Sequence, residues 1–152
     1  LIINISKKLQ DISFVFIGPT TDVQSKSQLD NLLKQKNIYM IGYKKYEELP
    51  YYCAFFDIAW LPLNKNEYTK SMFPMKFFEY LAAGLPVIST SINSLEEYRN
   101  IALLSENNCE NMIENIKKAL TNKGPKLEMR LKVAKENTYE KRTRSMLNEI
   151  LF

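Results

Sequence analysis

The chain has 152 residues, 45% of them hydrophobic and 25% charged, a globular composition that excludes a disordered or fibrous protein. Its 21 basic and 17 acidic residues leave a formal charge of +4, spread along the chain. No basic stripe or aromatic platform of the kind that reads nucleic acid stands out, so no nucleic-acid partner is expected. Histidine is absent altogether, which removes the commonest general base and the commonest transition-metal ligand.

Length fits one domain over residues 1–152, and no apolar run reaches the roughly 20 residues of a membrane-spanning helix. Cys53 and Cys109 lack metal-ligand spacing and read as reduced, packed thiols of a cytosolic protein. Residues 1–10 are no signal peptide, and a chain opening on Leu1 reads as a piece of a longer protein.

In chain order, residues 13–17 form a short apolar run that stops at Gly18-Pro19. Residues 27–36 carry Leu29, Leu32 and Leu33 at helical spacing. The run 38–41 ends at Gly42, a helix follows over 46–56, and the run 57–61 ends at Pro62. A helix over 74–83 precedes the run 86–89. A short helix over 94–99 and a weaker run over 101–104 come next. Residues 109–120 place Met112, Ile113, Ile116, Ala119 and Leu120 on one stripe. Beyond Gly124-Pro125 only helix is expected, over 126–136 and 139–151.

The apolar runs show little alternation, as in parallel strands covered on both faces. Strand and helix alternate, which predicts an α/β fold, a Rossmann-like doubly wound parallel sheet with right-handed crossovers that ends in C-terminal helices. Ligands of such sheets sit beyond the carboxyl ends of the strands, here Gly18-Pro19, Gly42-Tyr43, Pro62-Leu63 and Thr90-Ser91.

The most informative stretch is residues 61–90. Pro74 suits a first helical turn, and Gly84 with Pro86 marks the stop. Between them Met75, Phe77, Phe78, Tyr80, Leu81, Ala82 and Ala83 make the helix apolar nearly all round, hence largely buried. Glu79 lies in the middle, and a carboxylate there needs donors or a cation. Lys76 lies one turn toward the helix start, where free N–H groups favour phosphate. Two readings stand: a Lys76–Glu79 ion pair on a partly exposed face, or a site with phosphate at the helix start and hydroxyls at the glutamate.

Residues 74–90, P-M-K-F-F-E-Y-L-A-A-G-L-P-V-I-S-T, resemble the signature of GT-B glycosyltransferases of family 4 and group 1, with P-x-K-x-x-E-Y-L-A-x-G-x-P-V of a bacterial cell-surface-polysaccharide subgroup. Weaker likenesses follow in order. They are residues 14–18 to F-V-L-I-G, residues 41–49 to a glycine-led strand end and the segment after it, residues 57–62 to a strand closing on Pro, and residues 138–142 to the entry of the last helix. The resemblance implies the C-terminal, donor-binding domain of a two-domain enzyme, with the acceptor held by its own N-terminal domain.

It further implies that Glu79 holds the ribose hydroxyls of a nucleotide-diphosphate sugar and that Lys76 faces the diphosphate. Tyr43 and Lys44 would clasp the base. Pro74 and Met75 would stand where backbone N–H groups meet phosphate or sugar, and Gly18 at a ligand-facing strand end. Asn66, Thr69 and Lys70 would be donors from the loop before the helix. A solvated turn at 43–44 and a plain loop surface at 66–70 are the competing readings. No catalytic residue is assigned.

The chain departs from the family in two places. Ser71 stands where the wider family has its first glutamate, eight residues before Glu79. The family's first strand, with its Gly-Arg…Lys loop, has no counterpart here, and that strand would be the central one. There is no D-x-D, so no metal or other cofactor is expected, and basic groups would stabilise the leaving diphosphate instead. The expected activity is transfer to a polysaccharide or lipid-linked acceptor with retention at the anomeric carbon. This chain alone would bind the donor without turnover. The alternatives are a nucleotide-sugar epimerase of the same architecture and a non-catalytic α/β binding module. Location is expected in the cytoplasm, at the inner face of the membrane if the basic helices over 126–151 associate peripherally; these helices could equally pack on the missing domain or be solvated.

Overall fold

Five short strands alternate with helices in the computed structural model, which describes residues 1–20, 26–122 and 124–151. In order they are α1 (Ile2–Lys8), β1 (Phe14–Phe16), α2 (Lys26–Leu33), β2 (Ile38–Met40), a 3-10 turn (Tyr46–Glu48) running into α3 (Leu49–Cys53), β3 (Ala59–Leu61) and α4 (Glu67–Ser71). Then follow α5 (Lys76–Ala82), β4 (Val87–Thr90), a 3-10 helix (Asn93–Tyr98), β5 (Leu103–Ser105), α6 (Cys109–Leu120), α7 (Leu127–Glu136) and α8 (Tyr139–Leu151). The fold is α/β with parallel strands and terminal helices, as the alternation of apolar runs predicts.

Every strand pairing is parallel, and among the described residues the sheet comes in two parts. β1 pairs with β2, Val15 opposite Tyr39. β4 lies between β3 and β5, with Ile88 opposite Trp60 on one side and Leu103 on the other. All four β4 residues are buried, which fits a strand flanked on both edges and covered on both faces.

The two faces carry separate cores. On one, Ile5 of α1 and Met112, Ile116 and Ala119 of α6 pack with Phe14, Ile38 and Ile88, and Leu32 of α2 joins them. On the other, Phe77, Phe78 and Leu81 of α5 pack with Ala59, Leu61, Val87 and Ala134 of α7. Strand neighbours alternate between the cores, Val87 against Ile88 and Ala59 against Trp60, as the period of two requires. Asn37 fixes α1 in place, its Nδ2 donating to the carbonyls of Ser6, Leu9 and Ile12 at 3.1, 2.9 and 3.0 Å.

Four local expectations are corrected. The helix expected over 74–83 is shorter and less buried: Phe77 N donates to Pro74 O and Phe78 N to Met75 O, three residues back, so the first turn is tight and the α-helix begins at Lys76. Its Ala82 and Ala83 are exposed, because α5 packs one face on β4 and α7 and two methyl groups offer little to bury on the other. Residues 94–99 are a 3-10 helix, not an α-helix. Residues 46–56 divide into a 3-10 turn and α3, with Pro50 in the first turn of the latter. Residues 66–70 are not a loop but belong to α4 and its cap.

Candidate donor-binding site

Glu79 projects from the middle of α5, where the helix leaves the apolar core. Phe77, Phe78 and Leu81 hold the other face, with Phe73 stacked on Phe78 at 4.9 Å between ring centroids. The Glu79 carboxylate is half-buried, and its donors are two phenols. Tyr46 Oη and Tyr139 Oη each donate to Oε1 at 3.4 Å, one from the 3-10 turn after β2, the other from the first residue of α8. The start of α8 is anchored beside them by Arg142, whose guanidinium lies 4.7 Å from the Phe73 ring and 5.1 Å from that of Phe78.

The charge on Glu79 is felt by its neighbours. Its field raises the Tyr46 phenol above 10.0, with burial adding to the effect. Burial, and then Glu79, raise the Cys53 thiol above 9.0. Tyr80 is likewise raised, by burial first. No Lys76–Glu79 ion pair forms among the described residues, so that reading of the helix is set aside.

The other residues singled out from sequence divide. Tyr43, 72% exposed, and Lys44, whose ammonium lies 5.7 Å from the centre of the Tyr52 ring, stand in the turn that leads to Tyr46. Gly18 N donates to Gly42 O at 3.0 Å and ties the carboxyl ends of β1 and β2 together; the φ of +72° at Gly42 is one that glycine adopts freely. Lys76 is exposed and borders a cleft of about 620 Å³ between β1 and β3, on whose walls Tyr80 also lies. Pro74 is buried and Met75 half-buried against the α5 core.

Asn66 and Thr69 are occupied in capping α4. Thr69 N donates to Asn66 Oδ1 and Asn66 N to Thr69 Oγ1, both at 2.9 Å, while the Thr69 hydroxyl donates to Asn64 O at 2.8 Å. Lys70 pairs with Glu67 in the same helix. The structure thus brings Tyr46 and Tyr139, which sequence reasoning did not single out, onto Glu79, and leaves Tyr43 and Lys44 in the turn before Tyr46 without a contact to the carboxylate. Tyr46 lies in the segment that resembles the family; Tyr139 is 60 residues from Glu79 and gave no local signal. Among the described residues no group of three or more Cys, Asp or Glu is placed to hold a metal ion.

The family profile described as "Glycosyl transferases group 1" matches residues 2–140. The chain belongs to this family. It is also 33% identical, over 84 residues, to the "Putative teichuronic acid biosynthesis glycosyltransferase TuaH" of Bacillus subtilis (strain 168). That match covers 55% of this chain and 21% of the relative, so the chain spans only a part of the length of that protein. As a group 1 transferase domain it carries the signature helix as α5, with Glu79 at its centre. No helix among its described residues is long and apolar enough to cross a membrane.

Proposed function

We propose that this group 1 domain binds a nucleotide-diphosphate sugar at the carboxyl ends of its strands and presents it for transfer to a polysaccharide or lipid-linked acceptor. The observation that carries the reading is the half-buried Glu79 carboxylate, open to solvent between the β2 turn and α8 and met, among the described residues, by two phenols at 3.4 Å. Such bonds are long for O–H···O, so the carboxylate keeps acceptor capacity that a ribose diol would fill at shorter range. The base would lie toward Tyr43 and Lys44. The diphosphate would lie toward Lys76, whose ammonium has no carboxylate partner among the described residues.

In this reading the reaction is retaining and needs no metal, because Lys76 supplies the positive charge beside the leaving diphosphate. The acceptor is held by a separate domain, so the chain alone binds donor without turning it over. The full protein works in the cytoplasm, at the inner face of the membrane.

Ligand-observed NMR with UDP, GDP, ADP and their sugar conjugates tests the reading, with Glu79→Ala as control. A base-selective signal lost in Glu79→Ala supports it. Equal signals from the folded wild-type and variant proteins refute the role of Glu79.

A further inference from the structure

Of residues 139–150 in α8, Arg142 alone is half-buried; the others are exposed. Its guanidinium lies 4.7 Å from the ring centre of Phe73 and 5.1 Å from that of Phe78, two rings that stack on each other. Arg142 Nη1 also donates to Asn137 Oδ1 at 3.4 Å, and Asn137 Nδ2 donates to Val133 O of α7 at 2.9 Å. One side chain therefore joins the start of α8 to the approach of α5, to α5 itself and to the end of α7. Its own amide donates to Thr138 O at 3.0 Å and closes the first turn of α8 around Tyr139. Tyr139 and Arg142 are three residues apart, hence on one face of the helix. Both reach adjacent residues of α5, the phenol Glu79 and the guanidinium Phe78.

We propose that Arg142 is a positioning residue for donor binding: seated on Phe73 and Phe78, it holds the first turn of α8 where Tyr139 orients the Glu79 carboxylate. The proposal rests on the reading of Glu79 as the acceptor of the ribose hydroxyls. The phenol bond is long and exposed, too weak by itself to hold a helix start in place. A cation against two aromatic rings is the stronger contact, and it sits one turn further along the same face. The seat also selects arginine. A lysine brings the same charge as a compact ammonium, without the flat group that reaches two rings and Asn137 together. No bond joins Arg142 to Glu79 among the described residues, so its effect on the carboxylate passes through Tyr139.

The test is a double-variant cycle read by calorimetry with the base-matched nucleotide diphosphate, on wild type, Arg142→Leu, Tyr139→Phe and the two together. Arg142→Leu alone is expected to weaken binding about two- to fivefold, and by less than about 1.5-fold once Tyr139 is already Phe. Arg142→Lys should recover part of the loss, and it serves as the milder variant if Arg142→Leu folds poorly. Hydrogen exchange without ligand reads the docking itself: amides 142–144 should exchange at least about threefold faster in Arg142→Leu. Losses that simply add in the double variant would assign Arg142 to stability alone and overturn the proposal. Unchanged affinity in Arg142→Leu beside lost affinity in Glu79→Gln also overturns it, and leaves the donor reading standing. A wild-type protein that binds no nucleotide diphosphate sinks that reading and this proposal together.

Discussion

Tyr139 donates its phenol to Glu79 Oε1 at 3.4 Å, joining the first residue of the last helix to the middle of the signature helix. Tyr46 reaches the same oxygen from the turn after β2. Three segments that are distant in sequence thus converge on one carboxylate, which makes Glu79 the point at which the candidate site is most sensitive to change.

Glu79→Gln is expected to weaken donor binding by roughly 10- to 150-fold, the range for losing about 1.5–3 kcal/mol of hydrogen bonding to a charged group. Stability should change little, because the carboxylate meets only exposed, long bonds. Titration calorimetry with the base-matched nucleotide diphosphate, alongside urea unfolding, separates the two effects. A large loss of stability with unchanged affinity would assign Glu79 to the fold and not to the ligand.

Replacing both Tyr46 and Tyr139 by Phe removes the phenols and keeps the rings. Unfolding free energy should move by no more than about 0.5 kcal/mol, since the bonds are long and solvent-exposed. Donor affinity should fall about two- to fivefold, the cost of letting the Glu79 side chain sample other rotamers before it meets the ribose. Calorimetry on the double variant checks this, and tighter binding would show that the phenols compete with the ligand.

The first three strands were legible in the sequence because each is a compact apolar run closed by Gly or Pro, and helix α6 because its stripe keeps a strict helical period. The 3-10 helix at Asn93–Tyr98 was not, since a single buried residue, Leu95, sets no period that could distinguish it from an α-helix. α4 was hidden because Asn66 and Thr69 read equally well as polar loop residues until their reciprocal cap is seen. Glu79 stood out as a charge in an apolar helix. Its tyrosine partners did not, because contacts across 33 and 60 residues depend on how the chain closes and leave no mark in local spacing.

Cys53 reports on the charge of Glu79. Burial is the larger cause of its raised pKa and Glu79 the smaller, and both disfavour the thiolate. The alkylation midpoint in a Cys109→Ala background should therefore lie above that of a free thiol and fall in Glu79→Gln, while staying above it because burial remains. A folded pKa raised above the unfolded one means that the neutral thiol contributes stability below the unfolded value. That contribution is lost as pH rises through the folded one, so unfolding curves should weaken above about pH 9. Iodoacetamide rates against pH measure the midpoint, and an unchanged midpoint in Glu79→Gln would place the carboxylate away from Cys53.

Arg130 provides the contrasting case, a buried charge on α7. Its Nη2 donates to Gly84 O at 2.8 Å and its Nη1 to Pro125 O, so α7 holds the turn that ends α5 and leads into β4. Burial lowers its pKa, yet the guanidinium remains charged and two carbonyls depend on it. Arg130→Ala leaves both acceptors unpaired at the mouth of a small pocket, and should cost roughly 2–6 kcal/mol at about 1–3 kcal/mol for each of the two groups. Arg130→Met retains the aliphatic stem and should recover only the packing part of that loss. Gly84→Ala should destabilise by about 1–3 kcal/mol for a separate reason: φ is +77° there, and a new Cβ would stand 3.2 Å from Leu127 Cδ1. Gly84 leads into the amino end of β4, and neither Gly84 nor Arg130 bonds to the Glu79 carboxylate or to its two phenols. All three variants should therefore keep the donor affinity of the folded fraction. Urea unfolding paired with calorimetry tests this, and a drop in affinity at unchanged stability would place Arg130 in the binding site.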